Sequence, residues 1–83
     1  MAEHDRSDEV QRLLDDLCVN LGFCLPREEQ RRLRVSPPPD AESFTVAVFE
    51  AEGLDPRQDK RLYRDVRDTI DQHMRRWPET NAN

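Results

Sequence analysis

Apolar residues enter the chain at Val10, Leu13, Leu14, Leu17, Cys18 and Leu21. The spacing is that of one buried stripe on an amphipathic helix. Asp8 and Glu9 fall where a first turn favours negative charge, with Ser7 or Asp5 as cap. Gly22 then sits where a left-handed C-terminal cap belongs, and Phe23 is placed to fold back on the helix it follows.

The next pattern is thinner. Pro26 reads as a first helical position, followed by Glu28 and Glu29. A short helix to about Arg34 would bury Leu33 and Val35, helped by Leu25. Ser36-Pro37-Pro38-Pro39 ends it, because each proline removes a backbone donor and biases its predecessor away from helix. Three prolines make a stiff connection, and without a longer motif they carry no docking function.

Asp40 caps a third helix running to about Glu52, with Gly53 and Leu54 repeating the glycine-plus-apolar ending. Asp55-Pro56-Arg57-Gln58 reads as a capping box opening a long fourth helix. Its stripe is Leu62, Tyr63, Val66, Ile70, His73, Met74 and Trp77, and Pro78 stops it. The expected fold is therefore all-α: a compact bundle of four helices at roughly 7–21, 26–34, 40–52 and 55–77, in one domain with frayed termini.

Helix three breaks the simple pattern. Ala41, Phe44, Ala47, Val48 and Ala51 share one side, while Val46 and Phe49 fall on the other, among Glu42 and Glu50. Such a helix is either central in the bundle or half exposed for a partner. The second alternative makes Val46, Phe49, Glu42 and Glu50 the candidate partner-binding residues. Val19 lies opposite the stripe of helix one, where a lone exposed valine needs no explanation.

Composition narrows the chemistry. In 83 residues there is room for one domain, with 35% hydrophobic and 37% charged residues. The net charge of −5 disfavours a nucleic-acid binder, yet residues 57–77 carry seven bases against four acids. Lys60, Arg64, Arg67 and Arg75 form a candidate phosphate or acidic-partner face. The bland alternative is a solvated face of i,i+4 pairs, namely Arg61–Asp65, Arg64–Asp68, Arg67–Asp71 and Asp71–Arg75. Met74 and Trp77, at the end of the longest helix, are a candidate homodimer seam, with core closure by Trp77 as the competing role.

Catalytic constellations do not emerge. Cys18 and Cys24 are five residues apart by intervening count, which matches neither a redox or zinc pair nor a disulfide framework. Both thiols are expected free in a reducing cytoplasm, since the N-terminus lacks a basic segment followed by an apolar run and no stretch could span a bilayer. His73 reads as a buried neutral histidine with one bonded nitrogen rather than half of a Cys–His pair. No metal ligand set and no cofactor are expected.

A non-catalytic protein–protein interaction module follows as the expected function, such as a small regulatory, adaptor or toxin-neutralising protein. Twelve arginines against one lysine fit the codon usage of a GC-rich bacterial source. A nucleic-acid-associated regulator and a purely structural homodimer are the alternatives.

Overall fold

The periodic stripes become helices where they were expected, and loops fall where glycine and proline interrupt them. The structure, a computed structural model, describes residues 6–77. Within it run α1 (Arg6–Leu21), α2 (Arg27–Val35), α3 (Ala41–Ala51) and α4 (Lys60–Arg76), with no strand among the described residues. The expectations for Asp5, for Pro78 and for frayed ends lie outside those residues. This is the all-α bundle that the hydrophobic pattern predicts.

α1 packs against both α2 and α4, and α3 packs against α4. Val10, Leu13, Leu14 and Leu17 of α1 meet Phe44, Val48 and Phe49 of α3 and Val66 and Ile70 of α4 in one buried cluster. Phe23, Leu25, Leu33 and Trp77 close its edges. Thr45, buried among these, donates its hydroxyl hydrogen to the Ala41 carbonyl at 2.6 Å, so its polar atom is satisfied.

Two glycines turn the chain. Gly22 has φ 78° and Gly53 has φ 75°, a region that costs a side-chain-bearing residue energy. After Gly22 the Phe23 amide returns to the Leu17 carbonyl at 3.0 Å, and its ring is buried. After Gly53 the Leu54 amide returns to Phe49 at 2.8 Å, but the Leu54 side chain stays 43% exposed. The two endings share a backbone and differ in packing.

Four sequence expectations change. Pro26 is the N-cap of α2 rather than its first residue, its carbonyl accepting from Gln30 at 3.0 Å. Val35 is 75% exposed, because α2 turns Leu33 inward and leaves its last residue on the solvent side. α4 begins at Lys60, not near Pro56. Asp55 instead organises a turn: its carboxylate accepts from the Arg57 amide at 2.9 Å and its carbonyl from the Gln58 amide at 3.0 Å. Asp59, in an extended conformation, then caps α4 by accepting from the Leu62 amide at 3.1 Å.

The fourth change is covalent. Cys18 and Cys24 are joined in a disulfide, with Cα atoms 4.3 Å apart. The left-handed turn at Gly22 reverses the chain and brings Cys24 back over the last turn of α1. The free-thiol expectation rests on the lack of a leader-like segment and of a disulfide-type spacing, whereas the helix-ending turn decides the distance.

A part-buried polar cluster fixes α2 on α1. Gln11 donates to Gln30 at 3.0 Å and accepts from Arg34 at 2.7 Å, while Gln30 donates to the Leu25 carbonyl at 2.8 Å. These bonds supplement an interface with little apolar content on α2. No helix is long and apolar enough to cross a membrane among the described residues.

Candidate binding groove

Phe49 settles the question posed by α3. It is 1% exposed, so that part of α3 is covered within the chain and Phe49 is a core residue rather than an exposed partner-binding one. Its ring lies between two others, with centroids 5.0 Å from Phe23 and 5.7 Å from Tyr63. Sequence geometry placed Phe49 opposite Phe44 correctly. What it missed is that the α1–α2 turn and α4 supply apolar walls on that second side.

Val46 is only half buried, one helical turn beyond Glu42 on the same flank of α3. Together with Pro56, Arg57, Lys60 and Tyr63 these two residues line an open groove of about 550 Å³. The floor is Val46, the Pro56 ring and the Tyr63 ring, all half buried. The rim is Glu42 on the α3 side, with Arg57 from the turn and Lys60 from the first position of α4. The wall opposite α3 depends on the late start of α4, because the 55–58 turn carries Pro56 and Arg57 to the groove.

The Tyr63 hydroxyl donates to a Glu42 carboxylate oxygen at 3.3 Å. Partial burial, and then the neighbouring Glu42 charge and hydrogen bond, raise the Tyr63 phenol above its ordinary value of 10.0. The phenol therefore remains a neutral donor and ties α4 to α3 across one end of the groove. Opposite, the Arg57 guanidinium approaches Asp55 at 3.8 Å with its side chain 90% exposed. Lys60 makes no ion pair or hydrogen bond among the described residues.

The other predicted site residues disperse. Glu50 is exposed and faces a smaller recess of about 210 Å³ between α2 and α3, with Glu29, Arg32 and Leu33. The Lys60, Arg64, Arg67, Arg75 set is exposed along α4 and interleaved with Asp65, Asp68 and Asp71. Lys60 belongs to the groove, Arg64 is exposed, Arg67 contacts Asp68 at 3.7 Å, and Arg75 pairs with Asp71 at 3.0 Å. Arg67, Asp68, Asp71 and Arg75 line a charged recess with Asp40 and Glu42 rather than a cationic surface. The proposed dimer seam is also altered: Trp77 is 7% exposed in the single chain and closes the core, and Met74 packs half buried against it.

His73 joins α4 to α1. Its Nε2 donates to Asp16 at 2.8 Å, and both side chains are partly shielded. The Cys–His alternative fails on this geometry, since the cysteines are bonded to each other and His73 is engaged by Asp16. Among the described residues no three His, Cys, Asp or Glu side chains are grouped to hold a metal ion.

Pro56, Arg57 and Tyr63 are the groove residues that the sequence did not mark. The sequence pattern places Pro56 and Arg57 in the fourth helix and Tyr63 on its core stripe. A second aspartate at position 59, three residues before an apolar stripe that begins at Leu62, is the signal that would have moved the helix start. No protein-family model, curated protein or solved structure matches this chain, so the groove's geometry carries the functional reading alone.

Proposed function

We propose that this protein is a non-catalytic protein-interaction module, a small regulatory, adaptor or toxin-neutralising subunit, and that the α3–α4 groove receives its partner. The observation that carries this reading is an apolar trough left open beside a core that is already closed. Val46 and Pro56 lie outside the buried cluster that Phe44, Val48 and Phe49 fill from α3, and Tyr63 packs on the edge of that cluster with Phe49 beneath it. A floor of that kind, rimmed by charge, has the layout of an interface centre with its polar edge.

Val46 and Glu42 keep the role expected of them, whereas Phe49 supports the groove from beneath and Glu50 lies outside it. The same chemistry argues against an enzyme. The thiols are bonded, the histidine is engaged in an interhelical contact, and neither lies in the groove. A cytoplasmic location carries an expectation of free thiols, and the Cys18–Cys24 bond weighs against it, because disulfides persist in oxidising surroundings.

A photo-cross-linking amino acid at position 46, in the cells that make the protein, tests the reading. A discrete adduct is expected from position 46 and not from position 19, a 79%-exposed valine on α1. Identical adducts from both positions, or none from 46, would remove the groove as a partner site.

A further inference from the structure

We infer that the groove's occupant is a short peptide segment presenting one apolar side chain beside a carboxylate, the apolar group resting on Val46, Pro56 and Tyr63 and the carboxylate meeting Arg57 and Lys60. This rests on the groove being a protein-binding surface and specifies what that surface selects.

The floor selects first. It is built from an aliphatic side chain and two ring faces, and its one hydroxyl, on Tyr63, already donates to Glu42. A polar group lowered onto it would lose water without gaining a partner, whereas an apolar group gains from burial. A volume of about 550 Å³ is that of a small-ligand site. It accepts a few side chains of a passing segment and not the face of a folded domain.

The rim selects second. Arg57 and Lys60 stand on one wall, and both are solvent-exposed. The Arg57–Asp55 contact, at 3.8 Å with Arg57 90% and Asp55 48% exposed, is worth little and yields to a better acceptor. Lys60 has no anionic partner among the described residues. It opens α4 directly after the capping Asp59, whose carboxylate is engaged by the Leu62 amide and not by Lys60. Two cations suit one carboxylate, with the guanidinium as a fork and the ammonium as a point charge.

The surroundings exclude a longer polyanion. The chain carries −5 overall, and Glu42 stands on the opposite rim. A phosphate backbone or an anionic membrane extending past Arg57 would meet these acids. One carboxylate, held on the cationic wall next to an apolar anchor, avoids them.

The test uses the whole chain, isotope-labelled, titrated with three end-capped hexapeptides that share one phenylalanine and differ only in its neighbour: glutamate, glutamine or lysine. Shifts should map to Val46, Arg57, Lys60 and Tyr63. The glutamate peptide should bind about fivefold tighter than the glutamine peptide, and the lysine peptide more weakly still. In the doubly substituted Arg57→Glu, Lys60→Glu protein, whose altered side chains are exposed, the order should reverse with the melting temperature nearly unchanged. Equal affinity for the three peptides overturns the carboxylate preference while leaving the groove as a peptide site. No groove shifts with any peptide at about 2 mM overturns the proposed occupant. Broadening of the same resonances with protein concentration alone would make a second copy of the chain the occupant and overturn it as well. The cross-linking result at position 46 decides the broader reading independently.

Discussion

His73 of α4 holds Asp16 of α1 through a 2.8 Å hydrogen bond, tying the last turns of the longest helix to the second half of the first. That bond lowers the Asp16 carboxyl below its ordinary 3.8, against a smaller opposing effect of burial. The Asn20 amide and the charges of His73 and Arg76 lower it further. A carboxyl depressed in the folded state stabilises the fold above its unfolded value and ceases to do so as pH falls through the folded value. Asp16→Asn should therefore cost roughly 1 kcal/mol near neutrality, after allowance for solvent screening. The cost should begin to shrink as pH falls below 3.8 and vanish as it passes the lower value of the folded carboxyl, where the parent is protonated as well. Urea midpoints at successive pH values measure this, and a variant whose deficit stays constant into acid would disprove the linkage.

The Cys18–Cys24 bond closes a short loop, separated by 6 positions. Loop-closure entropy for so few residues is about 2 kcal/mol. In a domain of this size that corresponds to a melting point lower by roughly 10 °C on reduction. Thermal melts with and without a dithiol reductant should show the difference, and a Cys18→Ser, Cys24→Ser protein should not respond to the reductant. Coincident parent melts would mean that the bond adds nothing to stability.

Phe49 and Val46 separate stability from binding on one helix. Phe49→Ala removes a fully buried ring and should cost about 3–5 kcal/mol, a large part of the stability of a small domain. Phe49→Leu keeps most of the volume and should retain the fold. Val46→Asp should fold with only a modest loss and bind no apolar-anchored peptide. Chemical denaturation and peptide titration of the three variants test the division, which collapses if Phe49→Ala proves as stable as the parent.

The start of α4 makes a fourth prediction. Asp59→Ala removes the side chain that accepts the Leu62 amide and should destabilise by about 1 kcal/mol. Asp55→Ala loosens only the exposed turn bond to Arg57 and should cost less. Its larger effect should be on the groove, since that turn carries Pro56 and Arg57. If Asp55→Ala were the more damaging to stability, the helix would start where the capping-box pattern put it.

Much of the fold was legible because helix punctuation is local. Gly22, Asp40 and Gly53 act over three to six residues, and the pattern of Val10 to Leu21 needs no knowledge of its neighbour. The groove was not legible, for a non-local reason. Phe49 has the same character whether its side of α3 faces solvent or the Phe23 ring, and Phe23 arrives only through the turn at Gly22. The disulfide was missed in a similar way, since the number of intervening residues says nothing once a left-handed turn shortens the distance. At Asp55 two local signals competed: a proline-containing capping box and a plain aspartate four residues later. The plain one won, because the Asx turn had already taken the first.

The row Phe23, Phe49, Tyr63 has a practical consequence for mapping studies. Three rings in succession lead from the α1–α2 turn to the groove floor, and only Tyr63 can touch an occupant. An alanine scan scored by partner capture would flag Phe23 and Phe49 as strongly as Tyr63. Those two hits would report a floor that has lost its foundation, and a contact map drawn from them would place the partner in the middle of the core.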